Sequence, residues 1–554
     1  MQNILTHNLV DIHSGQIYPA SVAVADGVIE KIVRLDQAVD PEGSYLMPGF
    51  VDAHIHVESS MLLPDQFARV AVTHGTVATV SDPHEIANVC GIQGVELMLR
   101  NAAQVNFKFC FGAPSCVPAT AFETAGAKLD VAAVTRLLDD PRIGYLSEVM
   151  DFPGVLNRSP EVMAKIQAAI QRNKPVDGHA PGLRGERAAK YVSAGITTDH
   201  ECFSLEEALD KLAVGCKIAI REGSAARNYG ALESLIDSHP DQVMLCSDDK
   251  HPDEFLLGHI NQLAARAVAD GRELMNVLRV ACLNPVEHYG LPVGLLREGD
   301  PADFILVEDL KKFRVLETWL DGVKVADQGQ CLMPATNSET INNFVADPID
   351  EEGLALPATG TQLRLIDAMD GQLITKQAVA ACKIENGLAV SDVERDILKI
   401  VVINRYGPAE PAIAFVRGFE LKSGAFASSV AHDSHNVVAV GTNDSDLTAA
   451  INAVIAEKGG LSVAANGQTE VLPLPVAGLM STKSCQWVAE RYERLDRQVK
   501  AMGSTLRAPY MTLSFMALLV IPSLKISDKG LFDGDKFEFT SVFLELDQGL
   551  DPNS

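Results

Sequence analysis

The sequence lacks a long apolar run, a Cys-x-x-Cys pair and a basic leader. Its longest late apolar run, 513–521, falls far short of the roughly 20 residues that a membrane-spanning helix needs, and is typical of a buried strand or helix. The ten cysteines are scattered, which indicates neither a zinc ribbon nor a disulfide framework. Residues 1–7 have neither the basic segment nor the apolar stretch of a signal peptide. We therefore expect a cytoplasmic protein with no membrane partner.

Basic side chains are scarce as well. The 46 Lys and Arg residues are outnumbered by 73 Asp and Glu residues, which gives a net charge of −27. Because nucleic acids bind to basic surfaces, we expect no nucleic-acid partner. The 554 residues, 47% of them apolar and 21% charged, are typical of a soluble globular chain of two or three domains.

The stretch that organises the chain covers residues 48–60, Pro-Gly-Phe-Val-Asp-Ala-His-Ile-His-Val-Glu-Ser-Ser. Apolar residues lead into His54 and His56, which are separated by one residue. On a β-strand, residues i and i+2 point to the same face, so both imidazoles would reach one point. Two ligands of one metal ion need this arrangement. The apolar strand before the pair, and Glu58 after it, favour a metal site over an incidental surface pair.

The region from 49 to 291 repeats a short apolar strand followed by a helical stretch. Eight such units in a region of this length are typical of an α/β chain that folds as a (β/α)8 barrel. The predicted strands are Phe50–Ile55, Thr76–Val80, Phe107–Phe111, Ile143–Val149, Lys174–Val176, Ile196–Asp199, Lys217–Ile220 and Val243–Cys246.

Two β-rich stretches flank the predicted barrel. Residues 8–34 contain short apolar runs around an Asp-Gly hairpin signal at 26–27, and residues 302–325 contain further strands with a second Asp-Gly pair. We predict that both flanks form one small β-sandwich domain. The predicted segments are 1–48 plus 292–335 for the small β domain, 49–291 for the barrel, 336–360 for a polar linker and 361–554 for a C-terminal α+β domain.

Polar side chains follow most of the predicted strands. In a (β/α)8 barrel the active site lies at the C-terminal ends of the strands, so metal ligands should appear there. A single acidic residue or histidine is more often a solvated loop residue, but the repetition is hard to attribute to loop composition. The groups after strands one, two, four, five, six and eight are His54 and His56; Asp82, His84 and Glu85; Glu148 and Asp151; Asp177 and His179; Asp199, His200 and Glu201; and Asp248, Asp249 and His251.

Six of these side chains are candidate metal ligands: His54, His56, Glu148, His179, His200 and Asp248. One divalent ion takes three or four protein ligands, so six suit two ions, with Glu148 between them. Mixed imidazole and carboxylate ligands fit Fe, Mn or Zn and do not choose among them. Such a centre generates hydroxide from water near neutral pH, and Asp248 could act as a general base and then as an acid.

The other acidic residues at these strand ends leave two alternatives open. Glu201 and Asp249 either carry protons during catalysis or orient the side chains beside them. His251 is more typical of a structural histidine. The sequence assigns no role to His432 and His435, which lie in the predicted C-terminal domain.

These residues resemble the amidohydrolase superfamily, in the 48–56 stretch, in the single histidines after strands five and six, and in the aspartate after strand eight. Five strings are further similar to the bacterial adenine deaminase family, and together they span nearly the whole chain. They are Val-Glu-Ser-Ser-Met at 57–61, Ser-Asp-Pro-His-Glu-Ile-Ala-Asn-Val at 81–89, Gly-His-Ala-Pro-Gly at 178–182, Cys-Ser-Asp-Asp-Lys at 246–250 and Ala-Pro-Tyr-Met-Thr-Leu-Ser-Phe-Met-Ala-Leu at 508–518.

The resemblance implies hydrolysis of adenine to hypoxanthine and ammonia, in purine salvage or catabolism, at a centre of two divalent ions, Mn or Fe. It assigns one ion to His54, His56 and Asp248. It assigns the other ion to His179 and His200, with Glu148 as the bridge. Many relatives that hydrolyse cyclic amides have a lysine after strand four. This chain has Glu148 there, which favours the adenine deaminase branch.

The resemblance also makes adenine the expected small-molecule partner. A carboxyl group that donates to a ring nitrogen would stabilise the charge that develops during attack at C6. The candidates for binding the purine are Glu58, Ser59, Asp82, His84 and Glu85. For Ser59 and His84, capping of a loop is a fair alternative.

Two other functions stay open. A metal-dependent hydrolase of another bond, such as a cyclic amide or an N-acyl group, would use the same ligands, although the missing lysine disfavours its cyclic-amide form. A non-catalytic barrel is expected to lose ligands, whereas this chain keeps all six candidates. We also expect a homodimer or higher homo-oligomer, with residues 361–554 covering the barrel mouth or forming the dimer contact.

Overall fold

The chain starts with four strands of a small sheet. The computed structural model describes residues 3–544, so the outermost residues of the first and last predicted domains, 1–2 and 545–554, lie outside the described range. Asp26 and Gly27 join the second and third strands, and both have the positive φ that a tight two-residue hairpin requires. The strands are β1 (Asn3–Asp11), β2 (Gln16–Ala25), β3 (Val28–Arg34) and β4 (Tyr45–Met47).

Eight parallel strands then form the barrel that the sequence predicts. Neighbouring strands are hydrogen-bonded in chain order, and backbone bonds of Asp248 to His54 and His56 join the end of the last strand to the first. The predicted bounds hold for three strands and shift by at most two residues for the others. The strands are β5 (Phe50–Ile55), β6 (Thr76–Ser81), β7 (Lys108–Ala113), β8 (Ile143–Val149), β9 (Val176–Gly178), β10 (Thr198–Asp199), β11 (Lys217–Arg221) and β12 (Val243–Cys246).

Helices alternate with these strands. Several begin at polar caps: the Asp130 carboxylate accepts from the Ala133 N–H at 2.9 Å, and the Ser204 hydroxyl accepts from the Glu207 N–H at 3.3 Å. The helices are α1 (Pro64–Ala71), α2 (His84–Ala102), α3 (Val131–Asp139), α4 (Phe152–Leu156), α5 (Pro160–Ile170), α6 (Gly185–Val192), α7 (Leu205–Leu212), α8 (Tyr229–Leu232), α9 (Leu235–Ser238), α10 (Pro252–Leu257), α11 (Ile260–Ala269), α12 (Leu274–Leu278) and α13 (Asn284–Tyr289).

After the barrel the chain returns to the small sheet. Its strands are β13 (Phe304–Val307), β14 (Val315–Leu320), β15 (Val323–Asp327) and β16 (Gln330–Cys331). The strand order β16-β15-β14-β13-β4-β1-β2-β3 joins both flanks. They share one apolar cluster, in which the rings of Phe304 and Trp319 stack with their centroids 5.6 Å apart. The layer that the sequence predicts as a small sandwich is thus one continuous eight-stranded sheet.

Residues 336–360, the predicted linker, contain a single 3-10 turn at Glu352–Leu354 and no longer helix. The strands that follow are β17 (Gln362–Asp367), β18 (Lys376–Ala381), β19 (Ile384–Glu385), β20 (Leu388–Ala389), β21 (Leu398–Ile403), β22 (Ala412–Arg417), β23 (Ala425–Ser428), β24 (Val437–Gly441), β25 (Gly460–Ala465), β26 (Gln468–Pro473), β27 (Leu524–Ser527), β28 (Gly530–Asp533) and β29 (Glu538–Phe539). Eight of them form one sheet in the order β18-β17-β22-β21-β24-β23-β25-β26.

Three helices complete this α+β domain: α14 (Asp444–Ala456), α15 (Cys485–Ala501) and α16 (Pro509–Phe515). α14 begins three residues before the predicted Leu447, because the Asn443 side chain accepts from the Asp446 N–H at 2.8 Å and caps it there. The apolar residues 513–519 are buried, first in α16 and then in turns. Among residues 3–544, no helix combines the length and the apolar character that crossing a bilayer requires.

The C-terminal domain lies over the carboxyl ends of the barrel strands. The loop after β5 contacts it where the Met61 carbonyl accepts from the Ser481 N–H at 2.8 Å. The loop after β7 contacts it where the Thr124 carbonyl accepts from the Asn436 side chain at 2.9 Å. Any site at the strand ends is therefore enclosed by both domains.

Candidate metal centre

The first group of predicted ligands meets where the barrel closes. His54 lies in β5 and His56 just beyond it, while Asp248 follows β12 in the left-handed region with a φ of 57°. Asp248 Oδ1 lies 3.1 Å from His56 Nε2 and 3.5 Å from His54 Nε2. The two Nε2 atoms are 3.3 Å apart. The barrel-closing backbone bonds thus bring all three side chains to one point, and all three are buried.

Glu148, at the end of β8, joins this group to a second one. Its Oε1 lies 3.4 Å from His56 Nε2. Its Oε2 lies 2.7 Å from His179 Nδ1 and 3.3 Å from His200 Nε2. The rings of His54 and His200 stack with their centroids 4.1 Å apart, so the two groups are in direct contact. The six predicted ligands therefore form one buried cluster, with the oxygens of Glu148 facing different histidines.

The electrostatics of this cluster favour positive charge. Burial would lower the pKa of His56 and of His200, but neighbouring carboxylates, chiefly Asp248 and Glu148 respectively, outweigh it and hold both pKa values well above the ordinary value. Burial would raise the pKa of Glu148, but His179 outweighs it and the pKa lies well below the ordinary value. His179 Nε2 is buried without a hydrogen-bond partner among residues 3–544. Imidazoles and ionised carboxylates in this arrangement fit bound divalent cations.

Arg221, to which the sequence analysis assigns no role, supports the cluster from the end of β11. Its side chain is 1% exposed. Nη1 donates to Glu201 and, at 2.6 Å, to Oδ2 of Asp248, while Nη2 donates to Glu201 at 3.1 Å. Burial would raise the pKa of Asp248, but Arg221 outweighs it and the pKa lies well below the ordinary value. The sequence did offer one signal for a role of Arg221, namely its place directly after predicted strand seven. That strand is one of two to whose ends no acidic residue or histidine is assigned.

Glu201 and Asp249 contact different neighbours beside the cluster. Glu201 Oε1 is 3.4 Å from His200 Nε2 and is also bonded to Arg221. Asp249 accepts a hydrogen bond from the Ser59 hydroxyl. Both predicted acids are therefore buried and hydrogen-bonded beside the ligands.

His84 connects the cluster to the predicted purine-binding residues. Its Nδ1 lies 3.0 Å from Asp82 Oδ2 and 3.5 Å from Glu148 Oε1. Asp82 also accepts from the His84 backbone N–H at 3.0 Å, which fixes the start of α2. Glu58 accepts from the Ile86 N–H at 3.2 Å, and burial raises its pKa to about 7.

Glu85 takes its partners from the C-terminal domain. Its Oε1 accepts from His432 Nδ1 and its Oε2 accepts from His435 Nε2. Burial would raise the pKa of Glu85, but the neighbouring imidazoles, His432 first, outweigh it and hold the pKa well below the ordinary value. The sequence alone assigns these histidines no role. The close spacing of the two histidines in His-Asp-Ser-His indicates a shared role, but it does not reveal that their partner is Glu85.

Three of the strand-end acids lie outside the cluster. Asp199 lies 3.2 Å from Lys211 Nζ and accepts from the Glu201 N–H at 2.8 Å. Asp151 caps α4 by accepting from the Gly154 N–H at 2.8 Å. Asp177 accepts from the hydroxyls of Thr198 and Tyr289 at 2.8 and 2.9 Å. Their contacts are those of residues that stabilise the barrel.

The cavity above the cluster has a volume of 30 Å³, where a single water molecule needs roughly 10–15 Å³ on the same measure. A purine therefore enters only if side chains or the covering domain move. Of the predicted purine-binding residues, His84 and Glu85 line the cavity, whereas Glu58, Ser59 and Asp82 lie behind its wall. The C-terminal domain contributes Leu373, His432, Asp433, Phe515 and Leu518.

Two known sequence families match this chain. Residues 45–325 match the amidohydrolase family, which implies a divalent metal centre. Residues 372–538 match the adenine deaminase C-terminal domain. The first match covers the barrel with part of the small sheet, and the second covers most of the domain that lies over the barrel.

Relatives match over nearly the full length. An adenine deaminase of Salinibacter ruber is 56% identical over 539 residues, which cover 97% of this chain and 98% of that protein. An adenine deaminase of a Sulfurovum species is 54% identical over 96% of this chain and 98% of that protein. One from Methanosarcina mazei is 50% identical over 97% of this chain and 99% of that protein. The chain belongs to the adenine deaminase family of amidohydrolases.

Proposed function

We propose that this chain hydrolyses adenine to hypoxanthine and ammonia, in purine salvage or catabolism. The observation that carries the proposal is the position of Glu148, whose oxygens face different histidines at the centre of a buried cluster of six metal-ligand side chains. The near full-length similarity to adenine deaminases supports adenine as the substrate. Replacement of the C6 amino group by oxygen consumes one water.

Two divalent ions, Mn or Fe with Zn as a further possibility, are the proposed cofactors. One would be held by His54, His56 and Asp248. The other would be held by His179 and His200, with Glu148 contacting both. When bound, such ions lower the pKa of water, so that hydroxide is available near neutral pH. Six ligands of mixed imidazole and carboxylate type support this number of ions.

Asp248 is the proposed main proton carrier. Arg221 donates to Oδ2 of Asp248 at 2.6 Å and orients the carboxylate, which would accept the proton of the attacking water and return it to the departing amino group. Glu201 and Asp249 line the same cavity and are proposed as further proton carriers or hydrogen-bond partners. Arg221 also lowers the pKa of Glu201, which supports an ionised state for that carboxyl.

His84 and Glu85 are proposed to contact the purine, since both line the cavity. Three other predicted binding residues are proposed to act from behind the wall: Asp82 orients His84, Ser59 orients Asp249, and Glu58 fixes the backbone beside Glu85. Their contribution to binding would be positional rather than direct.

A cytoplasmic location and an assembly of two or more copies belong to the same proposal. The location is supported by the ten cysteines, all of which are free thiols. Sedimentation of the purified full chain tests the assembly, and a single species with the mass of one chain would contradict the proposed oligomer.

Metal content and activity, measured together, test the function. The protein is stripped with a chelator, Mn(II) is added in steps, and ammonia release from adenine is followed. We expect activity to reach a plateau at about two ions per chain. Glu148→Gln should abolish activity and lower the number of bound ions. Glu186→Gln, an exposed change on α6, is the matched control and should behave like the parent.

Other outcomes separate the alternatives. A plateau at about one ion per chain would contradict the bridging role of Glu148, but it would remain compatible with adenine deaminase activity. Two bound ions without ammonia release from adenine would contradict the proposal and favour a metal-dependent hydrolase of another bond, which cyclic amides and N-acyl compounds would then identify.

A further inference from the structure

The loop between β23 and β24 brings polar side chains of the C-terminal domain into the cavity. Its backbone is fixed from below: Arg405, which is fully buried, donates to the His435 carbonyl at 3.2 Å, and the Tyr406 hydroxyl donates to the Ser434 carbonyl at 2.5 Å. Asn436 accepts from the Arg405 N–H at 3.0 Å. The loop is therefore held as a rigid support for the side chains that it presents to the barrel.

Two of these side chains donate hydrogen bonds to the carboxylate of Glu85. His435 Nδ1 accepts from the Ala431 N–H at 3.2 Å, so the proton of this ring is on Nε2, which donates to Glu85. His432 donates to the other oxygen of the same carboxylate. Both oxygens of Glu85 already accept a hydrogen bond in this arrangement, so a purine N–H that donated to Glu85 would have to share an oxygen with a histidine.

Asp433 differs from Glu85 in this respect. It is 3% exposed, lines the cavity, and its Oδ2 has no hydrogen-bond partner among residues 3–544. Its Oδ1 lies 3.6 Å from His84 Nε2. A buried carboxylate oxygen without a donor is costly, so a ligand that supplies an N–H there would gain a charge-assisted hydrogen bond.

We propose that Asp433 accepts the imidazole-ring N–H of adenine and thereby selects the free base. This inference rests on the proposed function, which requires C6 to lie at the metal cluster. His84 spans the distance between Glu148, at 3.5 Å from its Nδ1, and Asp433, at 3.6 Å from its Nε2. With C6 at the cluster, the opposite edge of the purine, where its ring N–H lies, faces Asp433.

Apolar side chains of the same domain complete this subsite. Leu373, Phe515 and Leu518 line the cavity beside Asp433 and offer a surface for the face of a planar ring. Substitution at N9 removes the ring N–H and leaves Asp433 buried without a donor. A site built to accept a hydrogen bond rejects an analogue that lacks the donor more strongly than an apolar pocket would.

The test compares adenine with 9-methyladenine, which has no imidazole N–H, in the metal-loaded full chain. Asp433→Leu replaces the carboxylate with an apolar side chain of similar size, and Asp433→Asn keeps a neutral acceptor. For adenine, Asp433→Leu should raise KM at least about 10-fold, and Asp433→Asn should have a smaller effect. For 9-methyladenine, kcat/KM should change little. Asp535→Asn, an exposed change in the same domain, is the matched control.

A binding measurement separates this inference from the proposed function. The product hypoxanthine keeps the ring N–H, and its Kd from calorimetry should rise at least about 10-fold in Asp433→Leu. Equal Kd values in the parent and in Asp433→Leu would overturn the inference, as would an unchanged preference for adenine over 9-methyladenine. If Asp433→Leu fails to fold, the same two measurements are made on Asp433→Asn: the Kd of hypoxanthine relative to the parent, and the preference for adenine over 9-methyladenine. A parent enzyme that does not act on adenine would instead contradict the proposed function.

Discussion

Replacement of Arg221 by methionine should destabilise the metal-free protein strongly. The guanidinium makes three hydrogen bonds to two buried carboxylates, those of Glu201 and Asp248. Removing one partner of a buried ion pair costs about 3–5 kcal/mol, because the remaining charge stays buried. Here two carboxylates lose their partner at once, so we expect a loss of free energy of unfolding near 5 kcal/mol.

The loss should depend on metal. Divalent ions at the predicted ligands add positive charge beside the same two carboxylates. They would therefore replace part of the positive charge that Arg221 supplies. The measurement is urea-induced unfolding, followed by circular dichroism, of the chelator-treated and the Mn(II)-loaded protein. Manganese should stabilise Arg221→Met more than it stabilises the parent.

Two matched variants make this prediction refutable. Arg136→Met removes a guanidinium that is 72% exposed and 3.3 Å from Glu96, so it should cost less than about 1 kcal/mol. Arg221→Lys keeps the charge but lacks the planar guanidinium, so its free energy of unfolding should lie between those of Arg221→Met and the parent. The reasoning is refuted if metal-free Arg221→Met is as stable as Arg136→Met, or if its loss is the same with and without manganese.

Two further changes test the packing beneath and beside the site. Lys525 is buried and donates to the carbonyls of Leu373 and Phe515 at 2.5 and 2.9 Å, and burial lowers its pKa to about 7. Between about pH 7 and pH 10 the unfolded chain binds this proton and the folded chain does not. Stability should therefore rise with pH there by up to about 1.4 kcal/mol per unit, and urea unfolding of Lys525→Met should lack this rise. Gly49→Ala would place Cβ 2.2 Å from Val77 Cγ1 at the start of β5. We therefore expect a lower urea midpoint, with a loss of about 1–3 kcal/mol in the free energy of unfolding that Val77→Ala in the same chain partly restores. An unchanged midpoint would contradict the packing argument.

The barrel was predictable because its strands are short apolar runs between helical stretches. Apolar patterning reports burial, whereas strand bounds follow backbone hydrogen bonds, and the two differ at the shortest strands. β10 is paired with β9 only through Thr198 and Asp199, so the buried Ile196, which the apolar pattern includes, lies outside the ladder. The prediction therefore placed the strand correctly and set its start two residues early.

That the six candidate ligands meet at one point was predictable from the barrel alone. Parallel strands end at the same rim, so side chains that are far apart in sequence meet there without further information. His54 and Asp248 illustrate this, since the backbone bonds that close the barrel also bring their side chains to 3.5 Å. The same rule does not separate candidate ligands from structural acids: Asp177 lies in β9, only two residues before His179.

The contribution of the C-terminal domain could not be derived in this way. Glu85 is 347 residues from His432, and no periodic pattern links two domains that pack through loops. Within the barrel, His84 Nε2 lies 3.5 Å from Glu85 Oε1, and a buried ionised carboxylate needs closer partners. The missing partners had to come from the segment that covers the strand ends. Once the barrel is known, the unsatisfied carboxylate points to a second domain with donors facing it, and the His-Asp-Ser-His loop at 432–435 supplies them.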